Sequence, residues 1–312
     1  MPQIPFCIVD AFTETPFQGN PAGVFFDDAG LLSDEDAMRL CAEVSLESAF
    51  VLPVDPAEAD FRLRYFTAAG EVPLCGHATV AALTVLVDSA RTAPPATLRI
   101  RTEVGILSVD LRTAPDGRLD ITLHQNAPQF GEPLAEPDIE DLAGVLGIEA
   151  ESILATGLPV RVVSTGTPWL LVPVADRDSV DNNRALENAA VITHLSRRDG
   201  TFGIYLFAVE WEETGVAVWS RCFAPIAELP EDPVTGSGSG ALGAYLAEQG
   251  VLTVPDDGAA SFTVRQGFAG GRGGTVRGQV ARRDGHWRAS VTGTALITAA
   301  GMFSLPARDS RS

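Results

Sequence analysis

The chain has 312 residues, 46% of them hydrophobic and 20% charged, with a formal net charge of −19; this is enough for two ordinary globular cores and opposes binding to nucleic acid or an anionic membrane surface, since both demand a positive face. It contains no lysine, which excludes Schiff-base chemistry, pyridoxal-phosphate attachment and any phosphate loop built on that residue. Four cysteines, Cys7, Cys41, Cys75 and Cys222, are too few for a disulfide scaffold and lack paired metal-ligand spacing.

The N-terminal stretch has neither the basic flank nor the apolar run of a signal peptide, and no segment reaches membrane-spanning length. A cytoplasmic protein without a metal site is the expectation.

In chain order, the pattern predicts strands over Pro5–Ala11 and from the Gly19–Gly23 turn to Phe26. Ser33 and Asp36 form a capping pair that opens a helix through Val44. Strands follow over Ser48–Pro53 and Phe61–Thr67. Gly76 opens a first central helix that ends near Ser89, before a Pro94–Pro95 break and a hairpin of Leu98–Thr102 with Leu107–Leu111 around Gly105. The stretch Gly131–Ala155 is acidic and proline-bearing and ends in a short helix over Ile139–Leu146. Further on, Ala217–Phe223 reads as strand and Ser239–Glu248 as helix stopped by Gly250. Ser261–Arg265 and Thr275–Val280 are strands, and the tail after Pro306 is polar and frayed.

Two stretches echo one another. The first runs Arg64-Tyr-Phe66, then Glu71-Val-Pro73 and Cys75-Gly76-His77-Ala-Thr79. The second runs Arg221-Cys-Phe223, then Glu228-Leu-Pro230 and Thr235-Gly236-Ser237-Gly-Ser239, with three extra residues between Pro230 and Gly236. Each reads as a strand, a loop and a glycine-led helix, so the chain consists of two similar halves. Gly76 and Gly236 either merely allow tight turns, with Thr79 and Ser239 as caps, or leave helix amino ends open to an anion, which their unpaired N–H groups would hold without lysine. Counted from Gly236, the Gly236-Ser-Gly-Ser-Gly240 stretch fits neither glycine-rich nucleotide pattern. The Arg265–Gly274 loop is a flexible hairpin or a wall of a site.

The segments Asp10-Ala-Phe-Thr, Gly19-Asn-Pro-Ala-Gly23, Glu47-Ser-Ala-Phe-Val51, Arg64-Tyr-Phe-Thr67, Leu74-Cys-Gly-His-Ala-Thr79, Asp232-Pro-Val-Thr-Gly-Ser237 and Gln266-Gly with Gly271-Arg272 resemble, in order and over nearly the whole chain, the PhzF-like family of phenazine-biosynthesis-type isomerases. The resemblance implies a mixed α/β, diaminopimelate epimerase-like fold of two pseudo-symmetric halves. Each wraps a barrel-like sheet around a central helix, with the active site in the cleft. The halves would be 1–125, completed by 293–312, and 126–292. It also implies a homodimer without cofactor that acts on a small carboxylate-bearing molecule. Glu47 is the matching acid/base position, with His77 and Asp232 assisting and Gly76, Gly236 and Ser237 contacting substrate.

Glu47 sits among Leu46, Ala49, Phe50 and Val51, apolar neighbours that suit a carboxylate to proton abstraction from carbon. In the epimerases of this fold a cysteine acts at each central-helix entrance. Here the second place holds Thr235, so a two-thiol epimerase is disfavoured and Cys75 reads as a packed bystander. Cys7, Cys41 and Cys222 read as ordinary buried thiols, and His124, His194 and His286 fall outside every matched motif. Two alternatives stand beside the isomerase: a serine-type hydrolase using Ser237, His77 and Asp232, which lacks the G-x-S-x-G elbow, and a non-catalytic small-molecule binder.

Overall fold

The computed structural model describes residues 3–213, 215–227 and 229–305; Glu228 and the tail after Pro306, both read above, lie outside them. The chain forms two compact units, Met1–Leu123 with Gly293–Ser312, and His124–Thr292.

The first unit runs β1 (Gln3–Ala11), β2 (Asn20–Phe26), α1 (Asp34–Val44), β3 (Ser48–Leu52), β4 (Phe61–Phe66), β5 (Glu71–Val72), α2 (Gly76–Asp88), β6 (Ala96–Thr102), β7 (Gly105–Thr113) and β8 (Leu119–His124). The second runs β9 (Gln129–Pro133), α3 (Glu136–Leu146), α4 (Ala150–Leu154), β10 (Arg161–Ser164), β11 (Pro168–Pro173), α5 (Arg177–Asp181), α6 (Ala189–Asp199), β12 (Gly203–Glu212), β13 (Gly215–Ala224), β14 (Leu229–Asp232), α7 (Gly236–Glu248), β15 (Ala259–Gln266), β16 (Gly274–Arg283) and β17 (His286–Gly293). The last strand, β18 (Ala295–Ser304), belongs to the first unit, where it pairs antiparallel with β1.

Strand pairing repeats between the units. In the first, β18, β1 and β2 are successively antiparallel, β2–β3 is parallel, and β3–β4 and β4–β5 are antiparallel. There β4–β6 is again parallel, and β6–β7–β8 closes antiparallel. The second unit follows the same pattern through β9, β10, β11, β12, β13 and β14, then β15, β16 and β17. The fold is therefore mixed α/β, and the halves share a topology as well as a motif. The strand that fills the place of β9 in the first unit is supplied by the far end of the chain.

Each sheet has an inner and an outer face. Inside lies a helix without a polar stripe: α2 packs on β1, β2, β3 and β18, and α7 on β10, β11 and β16. Both are buried along most of their length, as expected for a helix apolar all round. Outside, α1 covers the first sheet through Ala37, Leu40 and Cys41 against Phe25, Phe50 and Phe66. The side chain of Ser33 and that of Asp36 complete the expected capping box at its start. In the second unit α3, α4 and α6 place Leu142, Leu146, Ile153 and Ile192 on Leu170, Val172, Ile204 and Leu206.

Gly238, Gly240 and Gly243 of α7 serve packing. A Cβ on Gly243 would stand 2.3 Å from the Phe262 ring, and one on Gly238 2.5 Å from the Tyr205 ring. Phe262 is itself buried and cannot withdraw. Gly243→Ala gains up to about 1 kcal/mol of helix propensity but overpacks a closed core at about 1–3 kcal/mol. A net loss of about 1–2 kcal/mol in urea unfolding is expected.

Arg64 of β4 binds Glu71 through two nitrogens, at 2.8 and 2.6 Å, and Arg221 of β13 binds Glu231 in the same way, at 2.8 Å each. The counterpart of Glu71-Val-Pro73 is thus Glu231-Asp-Pro233, not Glu228-Leu-Pro230. The three extra residues lie before the glutamate, around the 3₁₀ turn Pro225–Ala227, and the stretch from the glutamate to the helix has equal length in both halves.

Candidate active site

Glu47 is the last of the three residues, Ser45 to Glu47, that link α1 to β3. The helix leaves through Ser45 in the left-handed region, φ 55°, and the Leu46 N–H returns to the Cys41 carbonyl at 3.3 Å, a Schellman-type ending that turns the chain sharply. The Glu47 carbonyl then accepts the Gly23 N–H at 3.2 Å, fixing the residue at the head of β3. Gly23 is required for this approach: a Cβ there would lie 2.4 Å from Ser48 Oγ. The Gly19–Gly23 motif thereby positions the glutamate. Its side chain is 31% exposed, so the carboxylate keeps access to solvent where the apolar neighbours had suggested desolvation.

The amino end of α2 faces it. The Cys75 thiol lies 3.5 Å from Glu47 Oε2, which accepts from it, and 3.4 Å from His77 Nδ1. His77 Nε2 lies 3.6 Å from the same carboxylate oxygen. Read from the sequence as a packed thiol, Cys75 is packed, and it also touches both ionisable partners. Thr79 is not a cap: its hydroxyl donates back to the Cys75 carbonyl at 2.7 Å and pairs with the buried Tyr65 hydroxyl at 2.6 Å. No side chain caps α2. At Gly76 a Cβ would meet only Leu123, at 3.9 Å, so crowding does not demand glycine there. A bare backbone leaves the amino end approachable.

Burial pushes the His77 imidazole below its ordinary value of 6.5, and the Glu47 charge only partly opposes this. The ring is neutral at neutral pH. As pH falls through 6.5 the unfolded chain takes up a proton that the buried ring refuses, so this site's stability is fully present above 6.5 and is lost toward the lower folded value. His77→Gln should flatten the fall in stability between pH about 7 and 5, read by denaturant titrations at each pH; an unchanged slope would contradict it.

The second unit builds a matching entrance with different chemistry. Thr235 stands where Cys75 stands, and its hydroxyl donates to Asp232 Oδ2 at 2.6 Å. Ser239 repeats Thr79, donating to the Thr235 carbonyl at 2.8 Å and pairing with the Tyr205 hydroxyl at 3.1 Å. Gln266, fully buried, accepts from the Thr235 N–H and the Tyr205 hydroxyl and donates to the Asp232 carbonyl. Ser237 Oγ accepts the Trp169 indole N–H at 3.1 Å. Tyr205 and Trp169 carried no signal in the sequence, since each is an aromatic within an apolar strand and outside every motif.

The structure thus gathers Glu47, Gly76 and His77 in one unit, with Cys75 among them, and Asp232, Gly236 and Ser237 in the other. His124, His194 and His286 are exposed. Burial pushes the Cys41 thiol up to about 11 and that of Cys222 well above its ordinary value, as befits packed thiols. Cavities of about 480 Å³ beside Arg62 and Arg101 and of about 330 Å³ beside Phe207 and Trp211 touch none of these residues. Of possible metal donors, those of Glu47, Cys75 and His77 lie within 4.8 Å of one another. Among the described residues no helix is long and apolar enough to cross a membrane.

Comparison with known proteins shows the family and the fold. The family described as phenazine biosynthesis-like protein matches residues 9–301. An uncharacterized isomerase of Bacillus subtilis is 34% identical over 296 residues, covering 93% of this chain and 94% of its own. One from Escherichia coli K12 is 34% identical over 292 residues, with the same coverage. The crystal structure of a PhzF-family phenazine biosynthesis protein from Bacillus anthracis superposes with a TM-score of 0.84 at 30% identity, covering 98% of this chain and all of that one. A hydroxyproline epimerase from Agrobacterium vitis, at 14% identity, shares the fold with a TM-score of 0.60 over 96% of this chain and 92% of its own.

Proposed function

The chain belongs to the phenazine biosynthesis-like family and is an isomerase of the PhzF-like kind; on that premise we propose that it moves a proton within a small carboxylate-bearing substrate, without a cofactor, using Glu47 as acid and base. The observation that carries this reading is the convergence of the Glu47 carboxylate, the Cys75 thiol and the neutral His77 ring at the uncapped amino end of a buried helix.

Glu47 takes a proton from carbon adjacent to a conjugated acid, and the electron pair left behind spreads into that acid. The same carboxylic acid then returns the proton at another carbon, so substrate and product differ only in the position of hydrogen and double bond. N–H groups at the start of α2 stabilise the charge that develops, and His77 orients the substrate through a ring nitrogen. In the second unit Asp232, Gly236 and Ser237 act as substrate contacts, with Asp232 also assisting proton transfer. The enzyme works as a homodimer in the cytoplasm.

The hydrolase is the weaker reading. Ser237 Oγ is held by an indole N–H and Asp232 by the Thr235 hydroxyl, contacts that steady both side chains without activating a nucleophile. A screen of small carboxylic acids in heavy water, followed by NMR, tests the proposal. Deuterium uptake at carbon with formation of an isomer is expected. Labelling of Ser237 by a fluorophosphonate, with release of a hydrolysis product, would replace it.

A further inference from the structure

We propose that Glu47, Cys75 and His77 also bind a thiophilic divalent cation, with Zn²⁺ as the type, and that the bound cation inhibits the enzyme. The donors are one thiol sulfur, one imidazole nitrogen and one carboxylate oxygen, a set that zinc accepts. Zinc–ligand lengths of about 2.0–2.3 Å at tetrahedral angles separate such atoms by about 3.3–3.6 Å. Here sulfur and oxygen are 3.5 Å apart, and His77 Nε2 is 3.6 Å from that oxygen and 3.8 Å from the sulfur. Adjustments of a few tenths of an ångström complete three corners of a tetrahedron.

The setting favours binding as well. Cys75 and His77 are anchored at the start of one helix and are buried, so little side-chain freedom is lost on coordination. The imidazole is already neutral, the form that ligates. Glu47 is half-buried and gives the ion a way in, leaving the fourth corner for water. Magnesium and calcium require mostly oxygen ligands, which one carboxylate cannot supply. The Cys41 thiol donates to the Phe66 carbonyl and takes no part in the cluster.

Binding is an exchange without redox change. The Sγ–H bond breaks, an Sγ–metal bond forms, and one proton passes to the buffer. Inhibition follows because the cation occupies the carboxylate oxygen that must accept the substrate's proton. This consequence rests on the isomerase reading, whereas the binding itself does not.

The test uses full-length protein stripped with a chelator and titrated with Co²⁺ or Zn²⁺. Expected are one equivalent of Co²⁺, a thiolate-to-cobalt band in the near ultraviolet, and the intense visible bands of tetrahedral cobalt. Zn²⁺ calorimetry in two buffers should report release of about one proton per ion, and Mg²⁺ should not compete. Cys75→Ser should abolish the near-ultraviolet band and weaken binding at least about 100-fold, because even outer-shell partners are worth about 10–100-fold. Cys7→Ser should change neither. An octahedral spectrum, a band that survives Cys75→Ser, or no binding would overturn the proposal. Should Cys75→Ser fail to fold, Glu47→Gln decides: it must weaken Zn²⁺ binding at least about tenfold, and unchanged affinity overturns the site. Metal-free protein that never exchanges deuterium would refute the isomerase and leave the cation site standing.

Discussion

Glu47→Gln is expected to lower kcat by about 10²–10⁴-fold, the usual share of general acid–base catalysis, with KM little changed. The substitution keeps the shape of a side chain that is 31% exposed and preserves the carbonyl that binds the Gly23 N–H, so β3 stays in place. On the proposed mechanism, what it removes is the group that accepts a proton. Since that acceptance matters in the transition state more than in the bound ground state, kcat and kcat/KM fall together. An amide at this position that turns over at the wild-type rate would remove Glu47 from the chemistry. Unchanged kcat with a raised KM would make it a binding group only.

Glu231→Ala is expected to destabilise the protein by about 3–5 kcal/mol, whereas Glu71→Ala costs about 1 kcal/mol or less. The two glutamates hold equivalent arginines in equivalent strands, and the difference lies in burial. The Arg221 and Glu231 side chains are 8% and 14% exposed, against 23% and 27% for Arg64 and Glu71. Removing Glu231 strands a guanidinium that keeps, among the described residues, the Asp181 carbonyl at 3.1 Å and the face of Phe223. Arg64 without Glu71 retains Asp34 at 2.8 Å and water. Urea unfolding of both variants measures the contrast. Equal losses would mean that solvent reaches the buried pair as easily as the exposed one.

Legibility of these features in the sequence follows the range of the forces that create them. The capping box of Ser33 and Asp36 spans four residues, and the start of α1 could be read directly. The Arg-x-Phe strands and glycine-led helices were legible because they occur twice. The place of β18 was not derivable from local pattern, because its partner β1 lies at the other end of the chain and Ala295–Ser304 is apolar without clear alternation. Residues 156–212 were left largely unread. Strands β10 and β11 are short, and helices α5 and α6 are held by packing on β12 and β13 rather than by local signals.

The counterpart of Glu71 lies three residues beyond the expected Glu228 because Glu-x-Pro occurs at both 228 and 231, and only strand register chooses between them. At the site, Glu47 and His77 were legible through motif and resemblance. The contact of Cys75 with both was not, since it depends on how the turn after α1 meets the start of α2. Gly238 and Gly243 were readable as glycines but not for their reason, which is the Tyr205 and Phe262 rings supplied by β12 and β15.

Hydrogen exchange at carbon, followed by NMR in heavy water with wild type and Glu47→Gln side by side, tests the central claim most directly. The account predicts deuterium uptake into the substrate with wild type and none above background with the amide, while both proteins still bind the acid. Uptake at the same rate in both would show that another group carries the proton.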